Sequence, residues 1–212
     1  MYKVVTIVGT RPEIIRLSSI LKKFDKHFKH FLIHTGQNYD YELNQIFFND
    51  LGLKKPFKYL NVSKNSPCSA VGDVIKKTET ILKNINPNAV LVLGDTNSCL
   101  GLYSAKRLKI PTFHFEAGNR CYDQNVPEEI NRKLIDHMSD INLTYSTIAR
   151  QNLLKEGLKN DLVIKVGSPL YEVFFNNKEK ILKSNILEKL SIKKRNYFLV
   201  SLHREENTKD KK

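Results

Sequence analysis

Short apolar runs alternate along the chain with longer stretches of helical period. The runs at 2–8, 30–35, 89–94, 111–116, 141–145 and 162–166 are rich in Val, Ile, Leu or Phe and predict buried strands. The stretches between them predict helices near 12–23, 41–51, 67–85, 97–108, 127–139 and 147–157. Strands that alternate with helices indicate a mostly parallel sheet covered on both faces. We therefore predict an α/β fold, a Rossmann-like doubly wound parallel sheet.

The pattern changes near residue 170. A helical stretch rich in Lys and Asn is followed by a strand-like run at 197–202 and a polar end. A single strand without a partner cannot form a domain. We therefore expect a Rossmann-like domain over 1–170, and a linker helix with the first strand of an incomplete second domain over 171–212.

The chain is strongly basic, with 35 Lys and Arg against 22 Asp and Glu and a formal net charge of +13. The lysines are dispersed, without the aromatic interleaving of RNA-binding surfaces, so we expect no nucleic acid partner. No apolar run approaches the roughly 20 residues of a membrane helix, and the N-terminus does not resemble a signal peptide. The three cysteines suggest neither disulfides nor a metal site. The cytoplasm is the expected compartment.

Ligands of an open parallel sheet bind beyond the carboxyl ends of its strands. The first strand is followed by Gly9-Thr-Arg-Pro-Glu, in which Thr10 and Glu13 have the spacing of a capping box and Pro12 suits a first helical turn. Arg11 and Arg16 near the positive end of that helix are unfavourable unless an anion binds there. This favours a phosphate site, with a solvent-exposed Arg11 as the plainer alternative.

Acidic residues follow or adjoin later strands. Asp95 follows the strand at 89–94, where it is also a common helix cap, and Glu116 closes a strand of buried type, where burial without a role is costly. Glu128 lies in a first helical turn, where an acid also simply complements the helix dipole. Three acids at one edge of a sheet can divide acid and base roles.

Two further positions carry weaker signals. Thr35-Gly-Gln37 follows the second strand and either hydrogen-bonds a ligand or forms a plain turn. His203 follows the last strand-like run, where a lone histidine is usually structural but can also meet a diphosphate.

The segments Gly9-Thr-Arg-Pro-Glu, Thr35-Gly-Gln, Gly94-Asp-Thr, Glu116-Ala-Gly, Pro127-Glu-Glu-Ile-Asn-Arg and His203-Arg-Glu-Glu-Asn occur in one order and spacing. In the identity, order and spacing of these segments, the chain resembles the non-hydrolysing UDP-N-acetylglucosamine 2-epimerases. The resemblance implies the N-terminal half of a two-domain fold of the glycosyltransferase-B type, with the site between the halves. It also implies a UDP-sugar substrate, loss of the C2 proton and of UDP to give a glycal, re-addition with C2 inverted, no redox cofactor or metal, and a homodimer of the full-length enzyme.

The resemblance also assigns roles to residues. It implies acid/base roles for Asp95, Glu116 and Glu128, and a diphosphate-stabilising catalytic role for His203. Substrate contacts are expected from Arg11, Pro12, Glu13, Arg16, Gln37, Thr96, Arg120, Asn131 and Arg132.

Two departures from the common family pattern bear on the substrate. Arg16 stands where these enzymes usually have Lys, and Asn38 where they usually have His. Together with Asn119-Arg-Cys-Tyr-Asp-Gln and Gly167-Ser-Pro-Leu-Tyr-Glu-Val-Phe, they resemble the branch that acts on UDP-2-acetamido-2,6-dideoxy-L-hexoses and makes UDP-N-acetyl-L-fucosamine for capsule or O-antigen. The alternatives are a UDP-GlcNAc/UDP-ManNAc 2-epimerase, a glycosyltransferase of the same architecture, a nucleic-acid-binding protein and a non-catalytic half-protein that binds nucleotide sugars. We expect the isolated chain to be inactive, because a closed site needs both halves.

Overall fold

The computed structural model describes residues 1–36, 46–63 and 65–200. Seven parallel strands form one sheet in the order β3-β2-β1-β4-β5-β6-β7. They are β1 Lys3–Val8, β2 Lys29–His34, β3 Lys58–Tyr59, β4 Ala89–Leu93, β5 Thr112–Phe115, β6 Ile141–Thr144 and β7 Val163–Lys165. The helices are α1 Arg11–His27, α2 Ile46–Asp50, α3 Pro67–Ile85, α4 Leu102–Arg107, α5 Pro127–Met138, α6 Thr147–Lys155, α7 Leu170–Leu182 and α8 Ile186–Lys189. The predicted α/β fold with a doubly wound parallel sheet is confirmed.

The strand order reverses between β1 and β4. The chain builds outward from β1 to β3 on one side, then returns to the centre and builds outward from β4 to β7 on the other. In folds with this reversal, ligands usually bind at the carboxyl edge of the sheet, beyond the two central strands.

Two apolar layers sandwich the sheet. One face buries Ile7, Val92 and Leu102 with neighbours from α3 and α4, and the other buries Val8 and Leu17 with neighbours from α1 and α2. Alternate residues of β1 thus enter opposite layers, which explains why that strand reads as a continuous apolar run.

Most predicted elements agree with the structure, and α3 has the bounds predicted. The helix predicted over 97–108 is divided into a 3-10 turn at Asn97–Gly101 and α4. A Cβ at Gly101 would lie 3.0 Å from Ile7 Cδ1, so the close approach to β1 favours glycine at this junction. Of the helix predicted at 41–51, only the part from residue 46 onward is described. The sequence pattern missed β3, because a two-residue edge strand has no periodicity to detect.

Two compact units are distinguished, Met1–Phe174 and Phe175–Lys212. In the second unit, residues 175–200 are described and include the end of α7 and all of α8. Residues 197–200 belong to the predicted last strand but are not in strand conformation, and no strand among the described residues pairs with them. Positions 201 and 202 lie outside the described residues. The predicted two-domain division stays a prediction. Within the described ranges, no helix is long and apolar enough to cross a bilayer.

Candidate active site

The loops after β1, β2 and β4 meet at Gly9. A Cβ on this residue would lie 2.4 Å from Thr35 Oγ1 and 2.9 Å from Ser98 Cβ. Real Cβ atoms do not make such contacts, so only glycine lets the three strand ends come this close. The neighbouring loops are therefore the physical reason for a glycine at this position.

Glu13 lies beneath these loops. Only 2% of the residue is exposed, and its carboxylate accepts hydrogen bonds from the backbone N–H groups of Gly9 and Thr10, the latter at 2.9 Å. It also accepts from the hydroxyls of Thr96 and Ser98, the latter at 3.0 Å. Burial raises the pKa of Glu13 despite these donors. Glu13 and Thr96, both expected to contact substrate, therefore bond to each other and join α1 to the loop after β4.

The first turns of α1 carry the expected cations. Arg11 and Pro12 are exposed, and the Arg11 guanidinium carbon lies 6.0 Å from the centre of the Phe47 ring. Arg16, one turn further along, donates from Nη1 to Oε2 of Glu116. The helix thus presents one guanidinium to solvent and holds a second against a carboxylate.

Glu116 has an unusual backbone conformation at the end of β5. Its φ is +69°, a left-handed value that costs a non-glycine residue energy. The side chain is 18% exposed. Burial raises the pKa of Glu116, the Arg16 charge opposes this rise, and the Asp95 charge adds to it. Asp95 and Glu116 are therefore electrostatic neighbours at the ends of the paired strands β4 and β5.

Arg132 of α5 holds Asp95. Its Nε donates to Asp95 Oδ2 at 3.1 Å and its Nη2 donates to the same oxygen, while Nη1 donates to Glu129 at 2.7 Å. The neighbouring Asn131 donates to the backbone carbonyl of Asp95 at 2.9 Å and to Asn97 at 3.0 Å. Arg132 and Asn131, both expected to contact substrate, orient the loop that carries Asp95.

Glu128 lies in the first turn of the same helix, four residues before Arg132. Residues four apart share a face of a helix, so Glu128 lies on the face of α5 from which Arg132 reaches Asp95. It is partly buried. Asp95 and Glu116 thus lie near each other at the edge of the sheet, and the approach of Glu128 to them stays a prediction.

Sequence reasoning overlooked Glu129. This residue is fully buried, and its carboxylate accepts from the backbone N–H groups of Cys121 and Tyr122 at 3.1 and 3.3 Å. Burial alone would raise the pKa of Glu129, but hydrogen bonds from Cys121, Tyr122 and Arg132 outweigh it and bring the pKa to about 2. The cations Arg132 and Lys133, three and four residues later, were the available signal.

The side chain of Arg120 binds acidic groups within the chain, and its expected contact with substrate stays a prediction. Its side chain is enclosed and donates to Glu156 through Nε and Nη2 at 2.7 and 2.6 Å, and to Asp136 through Nη1 at 2.7 Å. Every guanidinium nitrogen has a protein acceptor, so Arg120 braces the loop after β5 against α5 and α6. From sequence alone, Arg120 in its polar loop resembles a surface residue, because its acidic partners are distant along the chain.

A second overlooked group is His114, fully buried in β5. Its Nε2 lies 2.7 Å from the Gly94 carbonyl and its Nδ1 2.9 Å from Asp136 Oδ1. The ring therefore connects the turn before Asp95, the strand before Glu116 and the helix that starts near Glu128. A histidine inside an otherwise apolar strand was the signal in the sequence.

Gln37 and His203 lie outside the described residues, so their roles stay predictions. Among the described parts of the chain, no group of three or more His, Cys, Asp and Glu side chains is arranged to hold a metal ion. The described geometry consists of Asp95 and Glu116 at the sheet edge, Arg16 bound to Glu116 and Arg132 bound to Asp95, and the places of Glu128 and Arg11 in the site stay predictions.

Comparison with known proteins gives the family. The profile of the family described as UDP-N-acetylglucosamine 2-epimerase matches residues 22–212. The chain belongs to this family. One relative is a UDP-N-acetylglucosamine 2-epimerase homolog of Methanococcus maripaludis. It is 43% identical over 209 residues, which cover 97% of this chain and 58% of the relative.

Two solved structures of this family superpose well. The UDP-N-acetylglucosamine 2-epimerase of Rickettsia bellii has a TM-score of 0.87 and 56% identity, and the match covers 91% of this chain and 52% of that one. The Methanocaldococcus jannaschii UDP-GlcNAc 2-epimerase in complex with UDP-GlcNAc and UDP has a TM-score of 0.83 and 36% identity, covering 89% and 52%. The chain thus spans little more than half the length of these relatives, and its fold is the N-terminal half of the glycosyltransferase-B type.

Proposed function

We propose that this chain supplies the acid/base half of a UDP-N-acetylhexosamine 2-epimerase. The observation that carries the proposal is the approach of Asp95 and Glu116 at the carboxyl edge of the sheet, with Arg16 bound to Glu116. The reaction removes the C2 proton and expels UDP to give a glycal, then adds both back with C2 inverted. It requires a positioned base for a weakly acidic proton and cations for the departing diphosphate.

Glu116 suits the role of proton carrier. Because burial raises its pKa, its protonated and ionised forms are closer in free energy at neutral pH than those of an exposed glutamate. Asp95 and Glu128 at the same edge supply the carboxylates for proton transfer on the opposite face of C2. Arg11, which faces solvent, and Arg16 are the proposed diphosphate contacts, completed by Gln37 and His203.

Two substrates are proposed for the same chemistry. The resemblance of Arg16 and Asn38 to one branch favours UDP-2-acetamido-2,6-dideoxy-L-hexoses and a product used for capsule or O-antigen. The names of the Methanococcus and Rickettsia relatives favour UDP-GlcNAc. A cytoplasmic location, a homodimer of the full-length enzyme and the absence of a nucleic acid partner stay predictions.

The decisive experiment is a fusion of residues 1–170 to the remaining half of the Rickettsia bellii relative, assayed in D2O with both nucleotide sugars. We expect C2 inversion with deuterium incorporated at C2, and losses of about 10²- to 10⁴-fold in Asp95→Asn, Glu116→Gln and Glu128→Gln fusions. An Asp161→Asn fusion, altered at an exposed acid away from the site, is the matched control and should retain activity.

The outcomes separate the proposals. An inactive fusion that binds UDP by calorimetry would support the non-catalytic half-protein that binds nucleotide sugars. A fusion that neither binds UDP nor exchanges deuterium would overturn both. Turnover by the isolated chain would overturn the expectation that it is inactive alone.

A further inference from the structure

The hydroxyl of Tyr145 is a buried polar group that the proposed chemistry does not use. Its oxygen is shielded from solvent and, among the described residues, has no hydrogen-bond partner. Buried hydroxyls in proteins are nearly always hydrogen-bonded, because leaving one unpaired is costly. An unpaired hydroxyl next to a candidate active site therefore calls for an explanation.

Tyr145 directly follows β6, just as Glu116 directly follows β5. The two strands pair with Phe115 opposite Leu143, and the backbone N–H of Ala117 donates to the Leu143 carbonyl at 3.3 Å. The two side chains therefore leave the sheet at neighbouring strand ends. Because side chains alternate along a strand, Tyr145 continues the face of Leu143 and Phe115, and Phe115 packs in the layer on the α1 side.

The electrostatics agree with this proximity. Burial raises the pKa of the Tyr145 phenol, the negative charge of Glu116 raises it further, and the positive charge of Arg16 opposes them. The hydroxyl is thus close to an ion pair whose members already bond to each other. In this arrangement Arg16 donates to Oε2 of Glu116, and the Tyr145 hydroxyl does not bond to the carboxylate.

The side chains of Arg16 and Tyr145 differ in their access to a bound ligand. The Arg16 side chain is 36% exposed, so an anion at the sheet edge can compete for its guanidinium. The Tyr145 hydroxyl is enclosed, so its partner must come from within the protein. The nearby carboxylate of Glu116 is the acceptor that becomes available when Arg16 turns to a ligand.

We propose that Glu116 exchanges partners: when an anion draws Arg16 away, its carboxylate accepts a hydrogen bond from the Tyr145 hydroxyl. The identity of that anion as the diphosphate of a UDP-sugar rests on the proposed function. The exchange removes a cation from the base only when the leaving group is bound, and Tyr145 then fixes the orientation of the carboxylate. Tyr145 is thus a positioning residue, through which diphosphate binding sets the orientation of the Glu116 carboxylate.

A double-mutant cycle without ligand tests the exchange. Tyr145→Phe, Glu116→Met and the double variant are compared by urea denaturation, first with Arg16 present and then together with Arg16→Met, which mimics its withdrawal. With Arg16 present, we expect the coupling between Tyr145 and Glu116 to change the unfolding equilibrium constant by less than twofold. With Arg16→Met, we expect a coupling of about tenfold, as for a hydrogen bond to a charged group. No coupling in the Arg16→Met series, or equal coupling in both, overturns the proposal.

A spectroscopic readout guards against effects on stability alone. In chain labelled with ¹³C at the tyrosine ζ carbon, the Tyr145 resonance is assigned by its loss in Tyr145→Phe. It should move in Arg16→Met and stay in place in Arg11→Met, a control that removes an arginine of the same helix. An unmoved Tyr145 resonance in Arg16→Met contradicts the exchange. Because neither measurement needs a nucleotide, their failure is distinct from failure of the proposed function.

Discussion

The Glu13 carboxylate of α1 accepts a hydrogen bond at 3.0 Å from the hydroxyl of Ser98, in the segment that follows β4. The same carboxylate binds the backbone of the turn after β1. One buried acid thus fixes the relative positions of the loop that carries Arg11 and the loop that carries Asp95. The expected contact of Glu13 with substrate stays a prediction, and its observed bonds set the spacing between the loops of Arg11 and Asp95.

Replacing Glu13 should separate its hydrogen bonding from its charge. Glu13→Ala leaves the donors of Gly9, Thr10 and their partners unpaired and should lower the free energy of unfolding by about 3 kcal/mol. In Glu13→Gln the amide oxygen still accepts from the backbone while its NH₂ donates to hydroxyls that can rotate, so a loss below about 1 kcal/mol is expected. Urea denaturation of both variants at neutral pH checks this. Equal losses would show that the charge itself is required.

Glu129 should make stability depend on pH in the acid range. Its pKa is lowered from the usual 4.5 to about 2 in the folded chain. The stabilisation is therefore present above pH 4.5 and is lost as the pH falls towards 2. The stability advantage of the wild type over Glu129→Gln, measured by denaturation from pH 7 to pH 2, should shrink through this window.

Glu79→Gln is the matched control for the pH series. Glu79 belongs to an exposed pair with Lys83 on α3, and such pairs contribute about 0–1 kcal/mol. We expect its stability difference from the wild type to be small at every pH. A Glu129→Gln difference that does not change with pH would contradict the burial and hydrogen bonding described for this carboxylate.

Arg120 should matter to stability. Arg120→Met leaves the buried Asp136 carboxylate without its guanidinium, and breaking such a pair costs about 3–5 kcal/mol. Arg150→Met, which removes an arginine bound to backbone carbonyls nearer the surface, should cost less. Thermal and urea unfolding provide the measurement. A surface group whose role is to contact substrate would change stability by no more than about 0.5 kcal/mol when replaced.

The sequence was informative where one local signal determined one element. Helix α3 has Ser66 as its N-cap, which accepts from the Ser69 N–H at 3.0 Å, followed by Pro67, and its predicted bounds agree with the structure. The acids Asp95 and Glu116 were predicted to approach because parallel strands end at one edge. These inferences needed only periodicity, capping and the direction of the strands.

The sequence was less informative where a residue's partner is distant along the chain. Arg120 binds Glu156, 36 positions later, and Glu13 bonds to Ser98, 85 positions later. Polarity alone does not distinguish a side chain that faces a ligand from one that meets a buried partner. Position at a strand end therefore predicted the neighbourhood of the site but not which of its polar residues remain free to bind.

Gly118 offers a last test, because its backbone is both left-handed and crowded. Its φ is +81°, and a Cβ there would lie 2.2 Å from the carbonyl oxygen of Ala149 in α6. Gly157 has a φ of +90° with open space around the same position. Gly157→Ala should therefore cost only the conformational strain, about 1–2 kcal/mol, and Gly118→Ala at least about 2 kcal/mol more because α6 must shift. Urea denaturation of the two variants gives the difference directly, and equal costs would mean that the loop after β5 does not pack against α6 as closely as described.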